Sequence, residues 1–204
     1  AGPQVGYFFP EFFAEMDLEG GGFATRGAVF PGVPFVVAGR GADFSWSVSS
    51  SQADNIDVFA ETLCGSDDHH YLFRGQCLSM QRFDAGMLRS NGQPDQPVAF
   101  YETAHGPLLG YATVGGVKVG VSAMRSTHGR ELLSAQAFYD LDTGKVTSAK
   151  TFVKAMSRVE FSFNWFYADD KDIAYFSSGR LPVRAPGTDP ALPTIGSGQF
   201  EWQG

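Results

Sequence analysis

A β-rich α+β fold is predicted for this 204-residue chain on three observations. Apolar residues alternate with small polar ones in many short runs, the period of a strand with one buried face. Gly and Pro, 25 and 11 in number, recur often enough between those runs to place a tight turn at most junctions. Aromatic residues make up 14% of the chain, 19 of them Phe, and side chains of that kind favour strands and large interior contacts.

Each element follows from its local pattern. Glu19-Gly20-Gly21-Gly22 and Gly39-Arg40-Gly41 read as turns, because neither leads from a strand into a helix as a phosphate loop would. Phe44-Ser45-Trp46-Ser47-Val48-Ser49 is the clearest strand, with Phe44, Trp46 and Val48 on one face and three serines on the other. Strand-like stretches at 71–73, 98–101, 108–111 and 117–121 are punctuated by Asn91-Gly92 and Gly115-Gly116, both favoured hairpin turns. Residues 65–128, approximately, thus read as a β-hairpin insert within one unit that covers 1–204. Helical spacing of apolar residues appears at 131–139 and again at 148–156, so two short helices are predicted. A second alternating strand at 160–167 puts Phe161, Phe163, Trp165 and Tyr167 together, and Asn164 with Ser162 on the opposite face. The Pro- and Gly-rich tail, 181–204, reads as ordered loop.

Charge and length exclude some functions. A net charge of −7, with 15 basic residues and no basic run, is the wrong electrostatic footprint for nucleic acid. No apolar stretch is long enough to cross a bilayer as a helix, since runs such as 33–38 are broken by Pro and Gly, so no membrane partner is expected. Cys64 and Cys77 flank His69 and His70 and leave three readings: a disulfide closing a short loop, two buried thiols, or a Cys/His zinc site. His105 and His128 stand in Gly-flanked regions without a Ser-Asp partner in recognisable order, and are assigned no chemistry.

Three separated phrases carry more information. They are Gly2-Pro3-Gln4-Val5-Gly6-Tyr7, the 44–50 strand followed by Asp54-Asn55-Ile56-Asp57-Val58-Phe59-Ala60-Glu61, and Phe163-Asn164-Trp165-Phe166-Tyr167-Ala168-Asp169. In order and wording they resemble the nucleophile-bearing β chain of the penicillin amidase family, members of the N-terminal nucleophile hydrolases. The resemblance implies part of a four-layer αββα fold and hydrolysis of a linear amide, in an acyl-amine or a β-lactam side chain. It also implies a terminal Ser, exposed by autoproteolysis, whose own α-amine serves as base. The matched phrases begin at Gly2, downstream of that Ser, so the resemblance implies a fragment that supplies supporting residues.

Roles follow residue by residue from the same resemblance. Ser50 contributes a backbone N–H to the oxyanion hole, and Asn164 contributes its side-chain amide. Gln4 sits beside the nucleophile and Arg184 orients the amine; the other reading of Arg184 is a surface pair with Asp189. Val5 and Ala38 line the acyl pocket, where their small size implies room for an aliphatic or long acyl chain. Asp54, Ile56 and Asp57 match a structural Ca²⁺ site whose remaining ligands lie partly on another chain. Implied partners are the remainder of the acylase precursor (its α chain and the N-terminus of its β chain) and a small-molecule amide. The implied location is the periplasm or outside the cell. Two other readings stay open: a non-catalytic β-rich binding module, and an acylase relative that has lost its nucleophile.

Overall fold

The alternation at 44–49 becomes a strand, and the sheet around it organises the first of two compact units. The computed structural model describes Gly6 and residues 9–204. The chain opens with β1 (Ala14–Gly20), β2 (Phe23–Val29), β3 (Ala38–Arg40) and β4 (Phe44–Ser50). Next come β5 (Ile56–Thr62), β6 (His70–Phe73), β7 (Gln76–Ser79) and β8 (Gln81–Leu88). Then follow β9 (Gln96–Thr103), β10 (Gly106–Val114) and β11 (Val117–Arg125). Helices α1 (Ala135–Asp142) and α2 (Ala149–Met156) precede β12 (Phe163–Asp169), β13 (Ile173–Ser177) and the short β14 (Thr194–Ile195).

The first unit joins the residues up to Ala53 with Thr127–Arg180. Its antiparallel sheet runs β1-β2-β3-β4-β12-β13, so two strands more than a hundred residues apart in sequence, β4 and β12, lie side by side within it. Trp46 and Val48 from β4 meet Trp165 and Tyr167 from β12 on the face that α1 and α2 cover with Leu141, Phe152 and Met156. All seven are buried, and each such side chain contributes about 1.5–3 kcal/mol by leaving water. Trp46 also needs a partner for its indole N–H, and donates it to the Val37 carbonyl at 3.1 Å.

Local chemistry sets the helix boundaries. α2 starts where 148–156 predicts, because Ser148 and Thr151 form a reciprocal capping box. α1 departs from the predicted 131–139. Arg130 offers no side-chain cap, the first turn tightens into a 3₁₀ segment (Glu131–Ser134), and the α-helix runs on from Ala135. β12 likewise begins at Phe163, not at 160: the Glu160 N–H donates to Ser134 Oγ and Ser162 Oγ bonds Ser51 Oγ, which takes that lead-in out of the ladder.

The second unit holds Asp54–Ser126 and Leu181–Gly204. Its sheet runs β14-β5-β11-β10-β9-β8, with β14 parallel to β5 and the other neighbours antiparallel. The β10–β11 turn falls on Gly115 and Gly116 at φ 57° and 82°, the left-handed pair that a type I′ hairpin requires. β6 and β7 form a separate hairpin. Cys64 and Cys77 are joined as a disulfide that pins this hairpin beside the end of β5, with Cα atoms 6.0 Å apart. Closing a loop of that size stabilises by about 3 kcal/mol. His69 stacks on Tyr101 and His70 bonds Asp67, so neither joins the sulfurs. The tail, expected as loop throughout, adds β14 against Phe59 and Ala60.

Candidate functional site

β4 and β12 end together, and that shared end builds the polar part of the site. Their register pairs Phe163 with Ser50 and Asn164 with Ser49. Asn164 lies on the face opposite Phe163 and Trp165, as alternation requires. Its Nδ2 donates to the Ser50 carbonyl at 3.1 Å, and its Oδ1 accepts from Tyr175 Oη at 2.6 Å. A primary amide carries two N–H donors, so Asn164 keeps one with no partner among the described residues. The Ser50 carbonyl fixes which way the amide points, since it can only accept and must therefore face Nδ2.

Ser50 also borders a cavity of about 420 Å³ whose walls are overwhelmingly apolar. Val37, Val48, Phe138, Phe163 and Trp165 line it, with Phe161 beside them. At its mouth Phe12, Phe13 and Phe30 form an aromatic cluster with ring centroids 4.9–5.4 Å apart. The arrangement joins an oriented amide donor to an apolar hollow through one residue. Such a hollow takes an apolar group.

The predicted pocket residues divide. Ala38 packs at the margin of the core and does not line the cavity, whereas its neighbour Val37 does. Gln4 and Val5 lie outside the described residues. Phe161, Phe163 and Phe138 were missed as pocket residues, because strand and helix periodicity mark a side chain as inward-facing without distinguishing a filled core from an open one.

Arg184 stands in the second unit with Asp54, Ile56 and Asp57. Its Nε donates to both carboxylate oxygens of Asp57, at 3.0 and 2.8 Å, and one terminal nitrogen adds a third bond at 2.9 Å. That nitrogen also meets Asp54, through the backbone carbonyl at 3.1 Å and the carboxylate at 3.0 Å. Trp202 Nε1 donates to Asp57 Oδ2 at 2.7 Å. The hydrogen bond to Asp57 is the main reason the guanidinium is held in its charged form even more firmly than usual. Asp189 instead caps its own turn through the Ala191 N–H.

This donor set does not fit Ca²⁺ as it stands. The cation takes about six to eight oxygen ligands, and here both oxygens of Asp57 already accept protons from a cation and an indole. Ile56 opens β5 opposite Arg125, with its side chain half exposed. Among the described residues no group of three or more His, Cys, Asp or Glu is arranged to hold a metal.

A further charged network, invisible in the sequence, lies inside the second unit. His105 is buried, with Nδ1 2.8 Å from Glu61 Oε1 and Nε2 2.9 Å from Glu201 Oε1. Its ring stacks on Phe59 with centroids 4.0 Å apart. Thr103 and Ser122 hydroxyls donate to the same Glu61 oxygen at 2.7 and 2.5 Å. Burial alone would lower the His105 pKa, but the two carboxylates raise it above its ordinary value. Burial likewise pushes Glu61 up, and the hydrogen bonds from His105, Ser122 and Thr103 outweigh it, so Glu61 is held below its ordinary value. No local signal announces this network, because the partners stand 44 and 96 residues from His105.

Comparison with known proteins gives a consistent result. The penicillin amidase family model matches residues 1–204. Penicillin G acylase of Escherichia coli is 28% identical over all of this chain, which spans 24% of that protein. The acyl-homoserine lactone acylase QuiP of Pseudomonas putida is 29% identical over 89% of this chain and 22% of its own length. The structure of a thermostable penicillin G acylase from Alcaligenes faecalis superposes with a TM-score of 0.87 and 29% identity, covering 100% of this chain and 36% of that one. The chain therefore spans about a quarter of the length of the curated relatives it matches.

Proposed function

Because the chain belongs to the penicillin amidase family, a family of amidohydrolases, we propose that it is the oxyanion-binding and acyl-binding part of an acylase that cleaves a linear amide. The observation that carries this reading is the contact between Asn164 and Ser50 at the rim of the apolar cavity. The nucleophile is a terminal Ser outside these 204 residues, exposed by autoproteolysis, and the remainder of the precursor supplies it together with its α-amine. The Ser hydroxyl gives its proton to that amine as the oxygen bonds the carbonyl carbon, and the carbonyl oxygen takes up negative charge. The free Asn164 N–H and the Ser50 backbone N–H stabilise that charge. Collapse breaks the C–N bond, the amine departs with the proton, and water then releases the acid from the Ser ester.

The acyl group occupies the hollow lined by Val37, Val48 and Phe163. A space of about 420 Å³ with those walls favours an aromatic or medium-chain acyl group over a charged one. Substrates of this class include penicillin side-chain amides and acyl-homoserine lactones, the compounds named in the relatives. The Cys64–Cys77 disulfide supports an exported protein, in the periplasm or beyond. Arg184 enters as the clamp of Asp57 and Asp54.

Hydrolysis of chromogenic acyl anilides tests the reading. The whole encoded protein is expected to release the aniline, and the isolated 204-residue chain to release none. Turnover by the isolated chain, or none by the whole protein with any acyl group from acetyl to octanoyl, contradicts it.

A further inference from the structure

One wall of the cavity is held by a residue that does not touch it. Residues 30–37 cross from β2 to β3 and carry three of the lining side chains, Phe30, Val33 and Val37. Val37 is fixed on both sides: its N–H donates to the Ala28 carbonyl at 2.9 Å, and its carbonyl accepts from Trp46. Val36, fully buried, has no strand partner for its N–H, and donates it instead to Asp142 Oδ2 at 3.0 Å. The other oxygen of Asp142 accepts from Thr25 Oγ1, in β2, at 3.2 Å. Asp142 is the last residue of α1, one helical turn beyond Phe138, which also lines the cavity. One carboxylate therefore ties together α1, β2 and the crossing segment, and the first and last of these carry lining side chains of the hollow.

Asp142 is an unusual choice for a merely structural tie. It is completely buried, its two partners are neutral donors, and it lies at the negative end of a helix, where an anion is disfavoured. Burial pushes its carboxyl up to about 6. An anion kept under those conditions opposes stability, and groups of that kind are retained where position serves a site.

We propose that Asp142 is a positioning residue of the acyl pocket: it anchors residues 33–37 to α1 and so sets the space open to the acyl chain. The proposal rests on the acylase reading, in which this cavity receives the acyl group.

The test is calorimetric binding of free carboxylic acids, acetate through octanoate and phenylacetate, to the whole encoded protein. Asp142→Ala is expected to weaken octanoate and phenylacetate by about tenfold and acetate by less than about twofold, because only a chain that reaches the 33–37 wall senses its displacement. Asp142→Asn, which can still accept from Val36 and donate to Thr25, is expected to return octanoate to within about threefold of the unsubstituted protein. Loss of folded protein would lower the number of binding sites but would not change affinity with chain length.

Equal losses for acetate and octanoate overturn the proposal, as does an unchanged octanoate affinity or an Asn variant as weak as the Ala one. If Asp142→Ala does not fold, Thr25→Val replaces it, with an expected loss of about threefold for octanoate; no loss overturns the proposal. An unsubstituted protein that binds none of these acids overturns it as well. Binding that follows the expected pattern in a protein that cleaves no acyl amide supports the role of Asp142 and removes the acylase reading.

Discussion

The two units differ in how they treat some of their buried polar groups. In the second, every charge at a buried position answers another: Arg184 closes on Asp57, and His105 is gripped by Glu61 and Glu201. In the first, Asn164 keeps one donor, and Asp142 is buried, with neither a partner for that donor nor a cation beside that carboxylate among the described residues. Mutually satisfied charges hold a scaffold still. A spare donor, and a carboxylate buried against its own solvation, are the kind of groups that hold a scaffold less tightly and that functional sites use.

Substitutions in each unit should therefore fail differently. The largest effect belongs to Asn164→Ala in the whole encoded protein, where kcat on an acyl anilide is expected to fall about 100- to 1,000-fold while the melting temperature changes little. A melting temperature that collapses with kcat would put Asn164 among the scaffold groups. Next comes Arg184→Ala, expected to lower stability by about 3 kcal/mol in urea titrations, because Asp57 is left buried and uncompensated. If stability holds and only kcat drops, Arg184 belongs with the catalytic groups and the contrast between the units fails.

Asp142→Asn should move stability the other way. The folded-state carboxyl is raised from 3.8 to about 6, so the folded protein holds its proton more tightly than the unfolded chain does. The penalty for the buried anion is absent below 3.8, grows as pH rises to about 6, and is complete above. The Asn variant is thus expected to be more stable by about 3 kcal/mol at pH 8 and by nothing at acid pH, read from denaturant midpoints across that range. A variant less stable at pH 8 would show that the carboxylate supports the fold.

The smallest effect is the pH signature of His105. Its contribution is complete below its ordinary 6.5 and fades as pH rises through the elevated folded-state value. Glu61 contributes fully above its ordinary 4.5 and loses this as pH falls through its lowered one. The network therefore stabilises most between 4.5 and 6.5. His105→Gln should cost about 1–2 kcal/mol near the middle of that window and less at alkaline pH. A pH-independent difference would mean that His105 acts through packing on Phe59 alone.

What was legible in the sequence was local. Alternation placed β4 and β12 and put Asn164 opposite the aromatic face; the helical spacing of apolar residues at 148–156 placed α2; paired Gly residues placed the β10–β11 turn. β1, β2 and β8 were not distinguished. β8, fully exposed along its length, has no buried face to impress a period on its residues. The joining of Arg184 to Asp57 and of Asp142 to Val36 was equally hidden, because each depends on a chain path that closes more than a hundred residues of separation. The cavity was hidden for a different reason: its wall residues have the same pattern as a filled core. Only the family phrases pointed to Ser50 and Asn164, and nothing in the sequence pointed to Phe138, Phe161 and Phe163 as walls of a cavity.

The most direct measurement is a crystal structure of the whole encoded protein carrying an acyl boronate, whose tetrahedral adduct places an oxygen where the oxyanion would form. The account predicts that oxygen about 2.7–3.1 Å from both Asn164 Nδ2 and the Ser50 backbone nitrogen, with the acyl group in the hollow lined by Val37 and Phe163. An adduct oxygen that meets other donors, or an acyl group outside that hollow, would contradict it.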